Sequence, residues 1–194
     1  MTKNPRQRMI ESAAVLMREQ GVEATSFSDV VVASGAPRGS IYHYFPRGKA
    51  QLIEEATRYG TDFVVAGLAA SLEHGDVATS VKTFGKFYAQ ILRDSEFSAG
   101  CPVLAAALEG ERSPGARDAA GEGFRQWESL IAEGLVRDGV AADAADRLAT
   151  LIVSSLEGAV VLSRAQRTTD PLDRVLDQVE TLIADALHRA RPPR

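Results

Sequence analysis

Cysteine occurs once in this chain, at Cys101, and histidine three times, at His43, His74 and His188. A single thiol excludes an internal disulfide and agrees with a reducing compartment; Cys101 reads as a small buried hydrophobe rather than a redox sensor. The histidines are far apart, no metal-ligand spacing occurs, and there is no Gly-x-Ser-x-Gly elbow, so neither catalysis, metal nor cofactor is expected. Uninterrupted apolar runs of about 18 residues are also missing, so no membrane span is expected. The N-terminal stretch MTKNPRQRMIESAAVLMREQ mixes acidic residues with apolar ones and has no small-residue cleavage site, so the cytoplasm is the expected compartment.

What is present is the composition of an ordinary globular protein, with 45% apolar and 25% charged residues over a length of 194. That length suits one compact domain, or a small module joined to a larger one. The net charge of −4 is unevenly spread. Residues 1–49 carry seven basic and four acidic side chains, a net +3, whereas the remaining 145 carry −7. A basic end on an acidic body can hold phosphates, because screening over about 8–10 Å leaves the local field in charge. Ordinary charge fluctuation gives the same numbers, so charge alone does not decide.

The apolar spacing is helical almost throughout. Ile10, Ala13, Ala14 and Met17 follow one helix face, and Gly21 is a natural stop. Thr25 or Ser26 can cap a second helix containing Phe27, Val30, Val31 and Ala33. After the break at Ser34-Gly35-Ala36-Pro37, a short third helix is predicted from about Arg38 to Tyr44. A long helix opens at Lys49, and His74-Gly75-Asp76 ends it and caps the next. Further helices are predicted over about 102–111, 116–137, 142–166 and 171–190, with Pro171 in a favourable first turn. The tail 191–194 is expected to fray. Although Val30-Val31-Val32 is β-branched, its flanks fit a helix, so the fold class is all-α with about nine helices.

The informative block is FSDVVVASGAPRGSIYHYFPRGKAQL, residues 27–52. A helix, a turn centred on Gly35 and a second short helix form a helix-turn-helix arrangement. Gly35 tolerates the positive φ of a sharp turn, and Val31 and Ile41 can make the apolar contact between the helices. Arg38, Ser40, Tyr42 and His43 then face outward. Arg38 can fork onto a guanine edge or a phosphate, Gly39 removes bulk, and Ser40 and Tyr42 offer hydroxyls to phosphates. Lys49, Thr25 and Ser26 stand at helix starts, where N–H groups favour anions. Phe45 reads as a core aromatic; Tyr44 is open between core and surface. Helix-turn-helix geometry alone also occurs in helical proteins that bind no DNA.

The same residues carry a resemblance. Gly21, Thr25-Ser26-Phe27, the run Ala33-Ser34-Gly35-Ala36-Pro37-Arg38-Gly39-Ser40-Ile41-Tyr42-His43-Tyr44-Phe45, then Gly48-Lys49 and Leu52, resemble the N-terminal signature of the TetR family of transcriptional regulators. The wording from Ala36 to Pro46 is similar to the LmrA/YxaF-like subgroup, and Gly100-Cys101-Pro102-Val103 and Leu156-Glu157-Gly158-Ala159 add to that. The resemblance implies a helix-turn-helix DNA-binding domain over 1–48 and a six-helix ligand-binding and dimerisation domain over 49–194. It implies that Thr25, Ser26, Ser40, Tyr42 and Lys49 hold phosphates while Pro37, Arg38, Gly39 and His43 face base edges. Pro37 departs from the family's frequent Ser or Thr, which removes a hydroxyl there. The implied protein is a repressor that binds a palindromic DNA operator as a homodimer.

Beyond residue 60 the resemblance is thin. Helix 142–166 has small residues at Ser154, Ser155, Gly158 and Ala159, which permit a close helix crossing. Helix 171–190 has an apolar stripe of Leu172, Val175, Leu176, Val179, Leu182, Ile183, Ala186 and Leu187. Packing inside one chain explains both; the resemblance implies instead that these last two helices pair with their copies. Phe63, Phe84, Phe87, Tyr88, Ile91, Phe97, Phe124 and Trp127 can line a pocket for a small hydrophobic or aromatic effector, or can simply fill the core. Glu157, in a largely apolar helix, is a further candidate for that pocket. The competing reading is a helical ligand- or partner-binding module without DNA function.

Overall fold

A computed structural model describes residues 4–109 and 112–189. Among these the chain forms α1 (Pro5–Gln20), α2 (Phe27–Ser34), a 3₁₀ turn (Arg38–Ser40) running into α3 (Ile41–Tyr44), α4 (Lys49–Leu72) and α5 (Val77–Asp94). Then follow α6 (Pro102–Ala107), α7 (Pro114–Arg137), α8 (Ala142–Gln166) and α9 (Asp170–Arg189). The all-α expectation holds, and the β-branched run Val30-Val31-Val32 lies inside α2.

Local chemistry sets most of the boundaries. Asn4 caps α1 by accepting from the Gln7 N–H at 2.8 Å, with Pro5 in the first turn. Asp76 caps α5 by accepting from the Thr79 N–H at 2.8 Å. Three predicted ends move. The helix expected from 102 to 111 stops at Ala107, and the one expected from 116 opens at Pro114, because proline's fixed φ suits a first turn. The α9 helix opens one residue early, at Asp170; residue 190 and the tail 191–194 lie outside the described residues.

The chain divides into two compact units. One comprises residues up to 62 together with 98–123, and the other 63–97 with the residues from 124 on. In the first, α1 buries Met9, Ile10, Ala13 and Met17 in the same core as Val30, Ile41, Phe45, Leu52 and Ile53. The Gly100 N–H donates to the Arg18 carbonyl at 2.7 Å, which ties the start of the α6 segment to the end of α1.

In the second unit α9 lies along α5 and α8. Leu172, Leu176, Val179 and Ile183 are buried, so the main apolar line of α9 is used within its own chain, while Val175, Leu182, Ala186 and Leu187 are half-buried. Gly85 permits the closest part of this packing: a Cβ there would overlap the Leu176 side chain, meeting Cγ at 3.0 Å. Asp138 accepts from the Val77 N–H at 2.7 Å and Arg137 donates to the Leu72 carbonyl at 2.7 Å, fastening the α4–α5 corner to the end of α7. By length and mean hydropathy α8 is apolar enough to cross a membrane. One side of that apolarity is used inside the chain, where Ala145, Ala149, Ile152 and Val160 are buried.

Two substitutions test this account. Asp76→Ala removes the α5 cap and is expected to cost about 1 kcal/mol, which for a chain of this size lowers Tm by about 2–4 °C. Hydrogen bonds from Thr79 hold the Asp76 carboxyl below its ordinary value of 3.8. The charged part of the cap is therefore complete above that pH and fades as pH falls through the lower folded value; Asp76→Asn keeps the cap and loses the pH dependence. Gly85→Val overpacks the Leu176 contact and is expected to cost about 3 kcal/mol in urea unfolding.

Candidate nucleic-acid interface

A helical segment of three 3₁₀ and four α residues makes too few hydrogen bonds to hold itself. Its position comes from what it buries. Ile41 and Phe45 are 2% and 0% exposed, and Val30 and Val31 of α2 lie in the same core. Gly35 turns the chain between α2 and the segment with φ 61° and ψ 24°, a left-handed conformation that glycine adopts without strain. The Arg8 guanidinium donates to the Ser34 carbonyl at 3.0 Å, and the Arg6 guanidinium lies 5.4 Å from the Phe45 ring centre while pairing with Glu55 at 2.5 Å. Thus α1 grips the turn and the C-terminal end of the helix-turn-helix.

With one side fixed, the other is open. Pro37, Gly39, Tyr42 and His43 are exposed, and Tyr42 is 71% exposed. Such exposure of a large aromatic ring is what a partner surface shows. Tyr42 does not hang free: its ring meets Phe27 edge-on, with centroids 5.5 Å apart. Phe27, which sequence reasoning took only for an apolar helix residue, is the prop that aims Tyr42. His43 meets Tyr44 at 5.4 Å, and Tyr44 is half-buried. Arg38 begins the 3₁₀ turn. Ser40 is half-buried and its hydroxyl donates to the Pro37 carbonyl at 2.6 Å. Pro37 itself is extended, with ψ 132°, and precedes the turn rather than standing in its first helical residue.

The candidate phosphate ligands differ among themselves. Lys49 is half-buried at the head of α4 and its ammonium donates to the Glu23 carbonyl at 2.9 Å. Ser26 caps α2, accepting from the Asp29 N–H at 3.1 Å, while the Asp29 carboxylate accepts from its hydroxyl at 2.6 Å. That carboxylate already answers the positive end of α2. Thr25 is 1% exposed, and its hydroxyl donates to the Gly21 carbonyl at 2.8 Å. The Thr25 hydroxyl is thus turned inward, where the α1–α2 connection uses it to close on itself.

Behind this face runs a chain of ion pairs, of which Arg58 with Glu54 has the i,i+4 spacing of one helix while the longer links have no local pattern. Arg47 pairs with Glu54 at 3.6 Å, and Arg58 with Glu54 at 3.4 Å and with Glu122 of α7 at 2.8 Å. Hydrogen bonding to Glu122 is the first reason that the Arg58 guanidinium is held above its ordinary value. Arg112 pairs with Glu23 at 2.7 Å, next to the carbonyl that receives Lys49. Arg58 and Glu122 are 64 residues apart and Arg112 and Glu23 are 89 apart, so only the fold brings these partners together.

The expected effector residues are less united. Phe63 and Phe87 stand 5.9 Å apart and line a groove between α4 and α5 of about 480 Å³. Phe84 lies against Phe87 at 6.5 Å and against Tyr88 at 6.1 Å. Phe124 and Trp127 form a separate edge-on pair at 5.2 Å, with Trp127 only 4% exposed. Ile91 on α5 and Glu157 on α8 are half-buried. Cys101 is buried at the start of α6, as expected, and its sulfur accepts from the Leu104 N–H at 3.4 Å.

Comparison with known proteins gives two family matches. Residues 9–56 match the family described as bacterial regulatory proteins, tetR family, and residues 77–178 match the C-terminal domain of LmrA/YxaF-like transcriptional regulators. An HTH-type transcriptional regulator of Mycobacterium tuberculosis is 40% identical, over 97% of this chain and 100% of its own length. The Bacillus subtilis HTH-type regulator YxaF is 33% identical over 92% of this chain and 94% of its own. The crystal structure of a TetR transcriptional regulator from Legionella pneumophila shares the fold, with a TM-score of 0.83 over 93% of this chain and 97% of that one, at 21% identity. A helix-turn-helix held from behind by α1, an outward Tyr42 and both family matches lead to one conclusion: the chain belongs to the TetR family of transcriptional regulators, with a C-terminal domain of the LmrA/YxaF-like kind.

Proposed function

We propose that this regulator is a repressor that binds a palindromic operator as a homodimer and is released by a small hydrophobic or aromatic effector. The observation that carries the DNA reading is the two-sidedness of the recognition segment. Ile41 and Phe45 are buried while Pro37, Gly39, Tyr42 and His43 are open to solvent. Arg38, Gly39, Pro37 and His43 read base edges in the major groove; Ser26, Ser40, Tyr42 and Lys49 hold phosphates on either side. Thr25 serves the same contact from within, by fixing the turn that presents Ser26 and receives Lys49. In functional terms residues 1–48 meet DNA and residues 49–194 bind the effector and the second copy. A regulator that acts on the chromosome in this way works in the cytoplasm.

A single short recognition segment reads few base pairs, so useful affinity calls for two half-sites and a dimer. The open face of α8 suits that role. Leu151, Val161 and Leu162 are 44%, 50% and 49% exposed, on the same side as Ser154 and Gly158. Among the described residues nothing lies within 4 Å of where a Cβ on Gly158 would stand, so their packing does not require a glycine there. Ala159, by contrast, is buried in the chain and leaves the proposed contact. The half-buried Leu182 and Ala186 of α9 border the same face. The effector then acts by favouring a dimer whose recognition segments no longer match the half-site spacing; a preference of about 1–3 kcal/mol is sufficient. A helical module without DNA function leaves the exposed Tyr42 and the Lys49 contact without a purpose.

Binding to duplex DNA flanking the gene is expected to be tight and to fall steeply with salt. Lys49→Ala should weaken it and reduce the salt slope by about 1. Tyr42→Phe, which keeps the ring on Phe27 and loses only the hydroxyl, should cost about 1 kcal/mol of binding with Tm unchanged. Salt-independent binding, or equal binding by all three proteins, contradicts the reading. For the dimer, Gly158→Arg puts a charge on the open α8 face without an internal clash. Sedimentation is expected to show a folded monomer with much weakened operator binding, and an unchanged dimer would place the interface elsewhere.

A further inference from the structure

The short connection from the recognition segment to α4 is tightly built, yet it carries an open cation. Gly48 turns it with φ 75°, and the Gly48 N–H donates to the Phe45 carbonyl at 2.9 Å. The side-chain carbonyl of Gln51 accepts from the Arg47 N–H at 3.0 Å. The backbone of Arg47 is thereby fixed between the buried Phe45 and Lys49 at the head of α4. Its side chain is held far less closely. It is 68% exposed and pairs with Glu54 at 3.6 Å, beyond hydrogen-bond length. Arg112 and Arg58, by contrast, approach carboxylates at 2.7 and 2.8 Å.

Glu54 does not depend on this partner. Arg58, one turn along α4, approaches its Oε1 at 3.4 Å. Its Oε2 lies 3.2 Å from where a Cβ on Gly115 would stand, beside the first turn of α7, and the positive end of a helix favours a carboxylate. Arg47 therefore adds to a charge already answered, and an exposed pair of this kind contributes little to folding. A guanidinium that the fold does not need, on a fixed backbone two residues from Lys49, is available to something outside the chain.

We propose that Arg47 is a further phosphate ligand of the DNA face, and that Glu54 holds it in check by competing with the phosphate for the guanidinium. This role rests on the reading of residues 1–48 as the part that meets DNA. A phosphate can take two hydrogen bonds from a guanidinium, which replace a pair too long to make one. The contact carries no sequence information, so it raises affinity for every duplex alike. Glu54 sets its strength: the carboxylate draws the guanidinium back, and affinity stays below what an uncompeted Arg47 gives.

The test measures binding of the full-length protein to duplex DNA flanking the gene and to a scrambled duplex, over a range of salt. Arg47→Ala is expected to weaken both about tenfold and to reduce the salt slope by about 1, with Tm unchanged. Arg47→Lys should restore the slope. Glu54→Gln, which keeps the size of the side chain and removes its charge, should tighten binding to both duplexes about threefold. That gain should vanish when Glu54→Gln is combined with Arg47→Ala. The proposal is overturned if Arg47→Ala leaves the slope unchanged, or if Glu54→Gln binds no tighter than the native protein. It is also overturned if Glu54→Gln tightens binding equally with and without Arg47, since the carboxylate would then act on the phosphates directly. Lys49→Ala, measured in parallel, separates this role from the reading beneath it. A reduced slope there beside an unchanged one in Arg47→Ala removes Arg47 alone from the DNA face. No binding of either duplex by the native protein contradicts both.

Discussion

The burial of Ile41 and Phe45 is the constraint on which the DNA-facing half of this protein depends. The recognition segment has one α turn and one 3₁₀ turn, and an isolated helix of that length is not populated in water. Apolar burial supplies the missing stabilisation, at about 1.5–3 kcal/mol for each large side chain fully removed from solvent. It also fixes orientation, because a helix pinned by two inward residues presents a defined set of outward ones. Tyr42 and His43 are exposed because Ile41 and Phe45 are not. Gly35 sets the direction in which the segment leaves α2, and Arg6 and Arg8 of α1 close the arrangement from behind.

Charge is distributed around this frame by a consistent logic. The guanidinium groups of Arg6, Arg8, Arg47, Arg58 and Arg112 are engaged by carboxylates or carbonyls within the first unit. Most of these pairs are well exposed, and each contributes little by itself, about 0–1 kcal/mol. Their value is in direction: they join α4 to α7 and the α1–α2 connection to the segment before α7. Lys49 bonds a carbonyl rather than a carboxylate, so its full charge remains available at the head of α4. An acidic chain can in this way keep a basic face.

The local parts of this architecture were legible in the sequence. Helix ends were marked by Gly21 and Asp76, and the turn by Gly35, because caps and left-handed glycines act through neighbouring backbone groups. Phe45 in the core and Tyr42 on the surface followed from the period of the short helix. What remained hidden depends on distant partners. The edge contact of Phe27 on Tyr42 and the pairing of Arg112 with Glu23 have no signature in local spacing. A threonine before a helix can face either the solvent or the preceding turn, and only the fold shows that Thr25 bonds Gly21. Among the aromatics of the body, spacing cannot show that Phe63, Phe84 and Phe87 share a groove while Phe124 and Trp127 pair elsewhere.

The central claim is that a segment anchored by Ile41 and Phe45 reads DNA through Arg38, Gly39 and His43 in a two-fold assembly. Selection of bound duplexes from a random pool, with the native protein beside His43→Ala, tests it most directly. The account predicts an enriched palindrome whose half-sites lie about one helical turn apart, and a loss of preference at the same base position in both halves for the variant. Enrichment of a non-palindromic sequence, or a motif identical for the two proteins, would contradict it.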